Sequence, residues 1–185
     1  MSLSVKIIVF LLASIGLTGV SLRSLREFRS HGFYRFFAWE AILILVLLNL
    51  NDWFLEPYSP HQVVSWILLI CCLFLVIHGA YLLHVAGKPD GDRRDPNLVG
   101  IEKTTELVTI GAYRYIRHPL YSSLLLLSWG VFFKNPSYLG GFLALLASFF
   151  LTVTAKIEEA ENITFFGNAY RRYMRRNKMF IPFIF

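Results

Sequence analysis

Charge is scarce in this sequence. Acidic and basic side chains make up 16% of its 185 residues, against about a quarter in an ordinary soluble domain. Cysteine is nearly missing too. Cys71 and Cys72 are the only two; neighbours in the chain do not bridge comfortably, so no disulfide framework is expected. No Cys and His spacing points to a metal site. The sequence holds no internal repeat, no low-complexity tract and no second domain. It also has no strand, glycine-rich loop and helix in series, so a Rossmann-type dinucleotide cradle is excluded. No nucleic-acid partner is expected.

Apolar residues are abundant, at 56% of the chain. A membrane span needs about 20 mostly apolar residues, and five runs approach or reach that length. They cover residues 3–20, 36–54, 63–86, 120–133 and 138–155. The first carries Lys6 alone near its start and no clear small-x-small site before Ser21, so it reads as a span and not as a cleaved leader. The fourth is short, and the turn-forming "KNPS" joins it to the fifth as a hairpin. Sixteen of the 18 Lys and Arg residues fall on one side of this arrangement; Lys6 and Lys134 are the exceptions. The expected fold is an all-α integral membrane protein of five helices, with the N-terminus outside and the C-terminus in the cytoplasm. Multi-pass insertion is expected in the cell membrane of a prokaryote or the endoplasmic reticulum of a eukaryote.

Two segments on the basic side are too long to be plain connectors. One runs from Gly87 to Arg117 and opens with the loop-like "GKPDGDRRDPN". The other, residues 156–185, reads as a helical extension of the fifth span followed by a second helix. Between them lies "YRYIRH", ending at Pro119. Proline is tolerated at the first turn of a helix and pushes the residue before it out of helical geometry. His118 therefore turns the chain into the fourth span, whose positive dipole end faces the basic and aromatic entry. Glu158 and Glu159 follow the fifth span. Carboxylates at the end of a membrane helix need water or a cationic partner. Taken singly, each has a plain alternative. Arg114 and Arg117 also serve as topology determinants, Tyr113, Tyr115 and Tyr121 as an interfacial aromatic belt, and the glutamates as partners of Lys156. His31, His61, His78 and His84 show no ligand-like clustering and read as structural. Glu40 reads as reaching for water at the end of the second span.

Taken together and in order, "LVTIGAYRYIRHPLY" and "EEAENITFFGNAYRRYMRRNKMFIPF" resemble the isoprenylcysteine carboxyl methyltransferase family and the related phospholipid methyltransferases. The likeness covers roughly the last 85 residues, from Thr105 on, and the size suits a small prokaryotic-type member. It implies a membrane enzyme that uses S-adenosylmethionine, releases S-adenosylhomocysteine and needs no metal. It assigns cofactor contacts to Leu107, Val108, Tyr113, His118, Pro119, Leu120, Tyr121, Glu158 and Glu159, within segments 105–121 and 156–185. Which glutamate meets the cofactor is left open. Eukaryotic members carry Arg shortly before the acidic pair, one of them tied to substrate binding. Here Thr152 and Thr154 stand at the nearest positions, with Lys156 beside the pair. Arg117, Arg175 and Arg176 are the remaining candidates for the substrate carboxylate; Arg117 and Arg176 are the two carried forward as catalytic.

The implied chemistry suits these residue types. The acceptor is the carboxylate of a prenylated cysteine or a similar lipophilic molecule entering from the bilayer, with the active site on the cytoplasmic face. A carboxylate is a nucleophile without help from a base, so catalysis reduces to holding donor and acceptor in line. An amine on a phospholipid headgroup is the alternative acceptor, and it needs a base. A sterol-reductase-like enzyme binding NADPH is the more distant alternative.

Overall fold

The structure is a computed structural model that describes residues 1–88 and 104–184. Arg93, Arg94, Lys103 and the loop reading for 89–103 lie outside the described residues. Six α-helices account for most of the rest: α1 (Leu3–Leu25), α2 (His31–Leu48), α3 (Pro60–Ala86), α4 (Pro119–Phe132), α5 (Tyr138–Phe166) and α6 (Asn168–Arg176). An isolated parallel bridge pairs Ile116 with Lys178. The protein is an all-helical integral membrane protein. Four helices, α1, α2, α3 and α5, are long and apolar enough to cross a bilayer, and α4 is a shorter apolar helix.

Local chemistry sets where the helices begin. Ser30 precedes α2, and its hydroxyl accepts from the Phe33 N–H at 3.3 Å. This cap starts the second apolar helix at residue 31, earlier than its hydropathy does. Residues 50–52, expected within that span, form a separate 3-10 turn instead. Pro60 and Pro119 open α3 and α4, the position where a missing N–H costs nothing. Ser137 caps α5 through the Gly140 N–H at 3.1 Å. α5 then continues to Phe166, well beyond its apolar part, and Gly167 at φ +60° turns the chain into α6.

α2 packs mainly on α5, α3 on α4, and α1 leans on α2. Small residues on the α2–α5 seam, Ala38, Ala41, Ala147 and Ala155, are buried around Leu151. They let the two backbones approach closely, the usual means of helix association in lipid. At the far end from the tail, Lys134 is 1% exposed. Its ammonium donates to Gln62 Oε1 at 3.0 Å and lies 3.4 Å from the Trp66 ring centre. Gln62 in turn donates to the Lys134 carbonyl, and Asn49 to that of Val131. This polar knot fixes the α4–α5 hairpin and leaves the opposite end of the bundle to carry the site.

Candidate active site

The site is built where the chain enters α4. Gly111 has φ +56°, a left-handed conformation that favours glycine. It opens a 3-10 turn, Gly111–Arg114, which buries Tyr113 against Leu82 and Val108. The chain then runs beside the tail. Arg117 N–H donates to the Lys178 carbonyl at 2.8 Å and His118 N–H to that of Met179 at 3.2 Å, while Lys178 N–H donates back to Tyr115 at 3.2 Å. Asn177 closes the clip. Its amide donates to the carbonyls of Tyr113 and Arg114 at 2.8 and 2.7 Å.

α5 supplies three carboxylates, and each turns a different way. Glu161 meets the buried His31 of α2, with 2.5 Å between Oε2 and Nδ1. Glu159 is buried and accepts from Arg117 Nε at 2.6 Å and from His118 Nε2 at 3.3 Å. Arg117 also donates to the carbonyls of Met174 and Asn177. Its guanidinium thus ties α5, α6 and the tail together. Glu158 accepts from the Tyr121 hydroxyl and lines a cavity at the entry to α4. The His118 ring stacks on Tyr121 with centres 5.5 Å apart, and its Nδ1 lies 3.9 Å from Glu158.

Of the residues expected to contact a cofactor, Leu107, Val108, Tyr113, His118, Leu120, Tyr121 and Glu158 line this cavity. Pro119 and Glu159 are buried next to it and are not in its wall. Arg117 reaches the wall while held by its three partners. Asn162 and the aromatic Phe166, Tyr170 and Tyr173 complete the wall; the resemblance assigned no cofactor contact to them. The i, i+3 spacing of the two tyrosines in "YRRY" was the available signal, since it places both on the inner face of α6. Burial pushes both phenols well above their ordinary value, and for Tyr170 the nearby Glu158 and Glu159 carboxylates push the same way. Tyr173 donates its hydroxyl to the Tyr113 carbonyl at 2.6 Å. The free space is about 70 Å³, below the roughly 300–1,000 Å³ of small-molecule sites. A bound cofactor therefore requires wall side chains to move. His31, read from sequence as structural and unclustered, pairs with Glu161 on the same helix as Glu158 and Glu159.

Arg176 lies elsewhere. With Arg114 and Arg172 it lines a neighbouring cavity of about 520 Å³, which shares Leu107 and Tyr173 with the first.

The phospholipid methyltransferase family matches residues 60–169. Protein-S-isoprenylcysteine O-methyltransferase of Dictyostelium discoideum is 31% identical over 141 residues, covering 73% of this chain and 56% of that protein. Methanethiol S-methyltransferase 1 of Bradyrhizobium diazoefficiens is 28% identical over 120 residues, 64% of this chain and 39% of its own length. A methanethiol S-methyltransferase of Pseudomonas deceptionensis is 26% identical over 155 residues, 80% and 53% of the two chains. The chain spans about half the length, or less, of these curated relatives. No solved structure matches it significantly.

Proposed function

Because this chain belongs to the phospholipid methyltransferase family, we propose that it transfers a methyl group from S-adenosylmethionine to the carboxylate of a prenylated cysteine or similar lipophilic acceptor. The observation that carries this reading is the division of labour between the paired glutamates. Glu159 is neutralised by Arg117, so Glu158 is the carboxylate left facing an aromatic cavity. That donor set suits a ligand bearing an ammonium and a sulfonium. A carboxylate holds the ammonium, and tyrosine faces attract a cation by about 0.5–2 kcal/mol. When bound, the cofactor supplies an electrophilic methyl on a sulfonium.

The chain's own residues then bind and orient. Glu158 and Asn162 hold the polar end, and Tyr113, Tyr121 and Tyr170 enclose the cation. Arg117 acts as a positioning residue: it fixes Glu159, and through the Asn177 carbonyl it fixes the clip that carries Tyr113. An apolar groove of about 720 Å³ runs along α3 and α4 past Ile116 and Phe180. It borders the same clip and supports an acceptor with a hydrocarbon chain. Two relatives named for methanethiol favour a second reading, in which the acceptor is a thiol that must lose a proton. His118, in the wall and between the two glutamates, is the base available for that.

The test is transfer of radiolabelled methyl from S-adenosylmethionine by the purified membrane protein, with a farnesylcysteine analogue, a small alkyl thiol and phosphatidylethanolamine offered in parallel. Label on the prenylcysteine carboxylate supports the proposal. Labelling of the thiol or the amine alone transfers the assignment to that acceptor, and no labelling of any overturns it.

A further inference from the structure

The second cavity calls for a ligand of its own. Arg172 and Arg176 are one helical turn apart and share a face of α6, and Arg114 ends the 3-10 turn opposite them. All three line one cavity of about 520 Å³, and among the described residues its wall holds no acidic side chain. Among the described residues none of the three guanidiniums has a carboxylate partner. The nearby Glu106 carboxylate is taken by Lys88 at 2.6 Å. The placement is built and not a chance of side-chain sprawl. Asn177 lies in the same wall and grips the Arg114 carbonyl. The Arg117 guanidinium in turn holds the Asn177 carbonyl, so the backbones carrying Arg114 and Arg176 are fixed relative to each other.

We propose that this cavity binds a phosphate group. Three guanidiniums that face one space and have no carboxylate partner among the described residues repel each other, and an anion relieves that repulsion. Each offers up to five N–H donors in a planar fork. A carboxylate has two oxygens and is satisfied by one such fork, whereas a phosphate presents three or four and takes several. Thr109, also in the wall, adds a hydroxyl. The site is distinct from the candidate cofactor cavity, but the two share Leu107 and Tyr173, so an occupant of one bears on the wall of the other. Two sources of phosphate meet this chemistry, a phospholipid headgroup and a soluble phosphate ester.

Calorimetric titration of the protein in a non-ionic detergent, at constant ionic strength set with chloride, tests the site. The probes are inorganic phosphate and short-chain phosphatidylglycerol. We expect both to bind the wild type, and binding to weaken roughly tenfold or more in the Arg172→Gln/Arg176→Gln double variant. Arg114→Gln, on a different element, should weaken it as well. All three side chains are exposed, so circular dichroism and gel filtration should show folded variants. Tighter binding of the lipid than of phosphate assigns a headgroup; binding no tighter than phosphate assigns a soluble ester. Absence of binding by both probes, or equal binding by wild type and the double variant, overturns the proposal.

Discussion

Glu158 and Glu159 are chain neighbours with opposite fates. Glu158 faces the cavity, so Glu158→Gln should weaken S-adenosylhomocysteine binding about tenfold or more, by loss of a charge-assisted contact, and leave the melting temperature nearly unchanged. Glu159→Gln strands the Arg117 guanidinium, a change that costs about 3–5 kcal/mol for a buried pair. It should therefore lower the melting temperature by many degrees. Calorimetry and thermal unfolding of both variants check this, and the reverse pattern would assign the cofactor to Glu159. Arg117→Lys keeps the charge but not the fork that holds one carboxylate and two carbonyls at once. We expect turnover to fall roughly tenfold or more, about 1.4 kcal/mol in the barrier, with insertion intact. Near-wild-type turnover would return Arg117 to the role of a topology determinant. Tyr170 and Tyr173 extend the contrast to pH. Their folded-state values are raised, so the unfolded chain releases these protons first, at about pH 10. The stability they contribute is complete below that pH and is lost as pH rises through the folded-state values. Melting temperatures measured from pH 9 upward should fall steadily, and less steeply in the Tyr170→Phe/Tyr173→Phe variant.

Elements decide how such residues meet. α5 advances about 100° per residue, so one helix sends Glu158 to the cavity, Glu159 to Arg117 and Glu161 to His31. The entry to α4 depends on a different device. Gly111 sits at φ +56°, and a Cβ there would lie 2.6 Å from both His78 Nε2 and Leu82 Cδ1. Those side-chain ends can shift, but the left-handed backbone costs any other L-residue about 1–2 kcal/mol. Gly111→Ala should lower the melting temperature and weaken S-adenosylhomocysteine binding together, because the turn it opens carries Tyr113. Gly141→Ala is the control: its added methyl meets only Phe132 at an ordinary 3.6 Å. Equal behaviour of the two variants would detach the turn from the site.

For the whole molecule the open quantity is orientation. The basic residues cluster at the end that holds the clip and α6, and the Lys134 knot closes the other end. α4 has 14 residues, about 21 Å at 1.5 Å per residue, short of the ~30 Å hydrocarbon core. We propose that it crosses as a recessed fifth span, which leaves its start and the cavity below the headgroups on the cytoplasmic side. Single cysteines at Ser59 and Asn168, in a Cys71→Ser/Cys72→Ser background, should then react with impermeant maleimide from opposite faces, Asn168 from the cytoplasmic one. Reaction of both from the same face would remove the five-span arrangement.

Hydropathy alone determined the all-helical membrane class, because every backbone group in lipid must bond within its own helix. The residues of "LVTIGAYRYIRHPLY" and "EEAENITFFGNAYRRYMRRNKMFIPF" carried the resemblance to the family, and seven of the nine cofactor contacts it assigned line the cavity. Helix ends were less legible. Ser30 and Asn49 set the limits of α2 by hydrogen bonding, which an apolar count does not register. Three matters rested with the tertiary structure alone. It chose which glutamate faces the cavity, it paired His31 with Glu161, and it parted Arg176 from Arg117. Each depends on what α2, α6 and the tail place opposite a residue. A chain position fixes an angle around its own helix, but only packing supplies the partner at that angle.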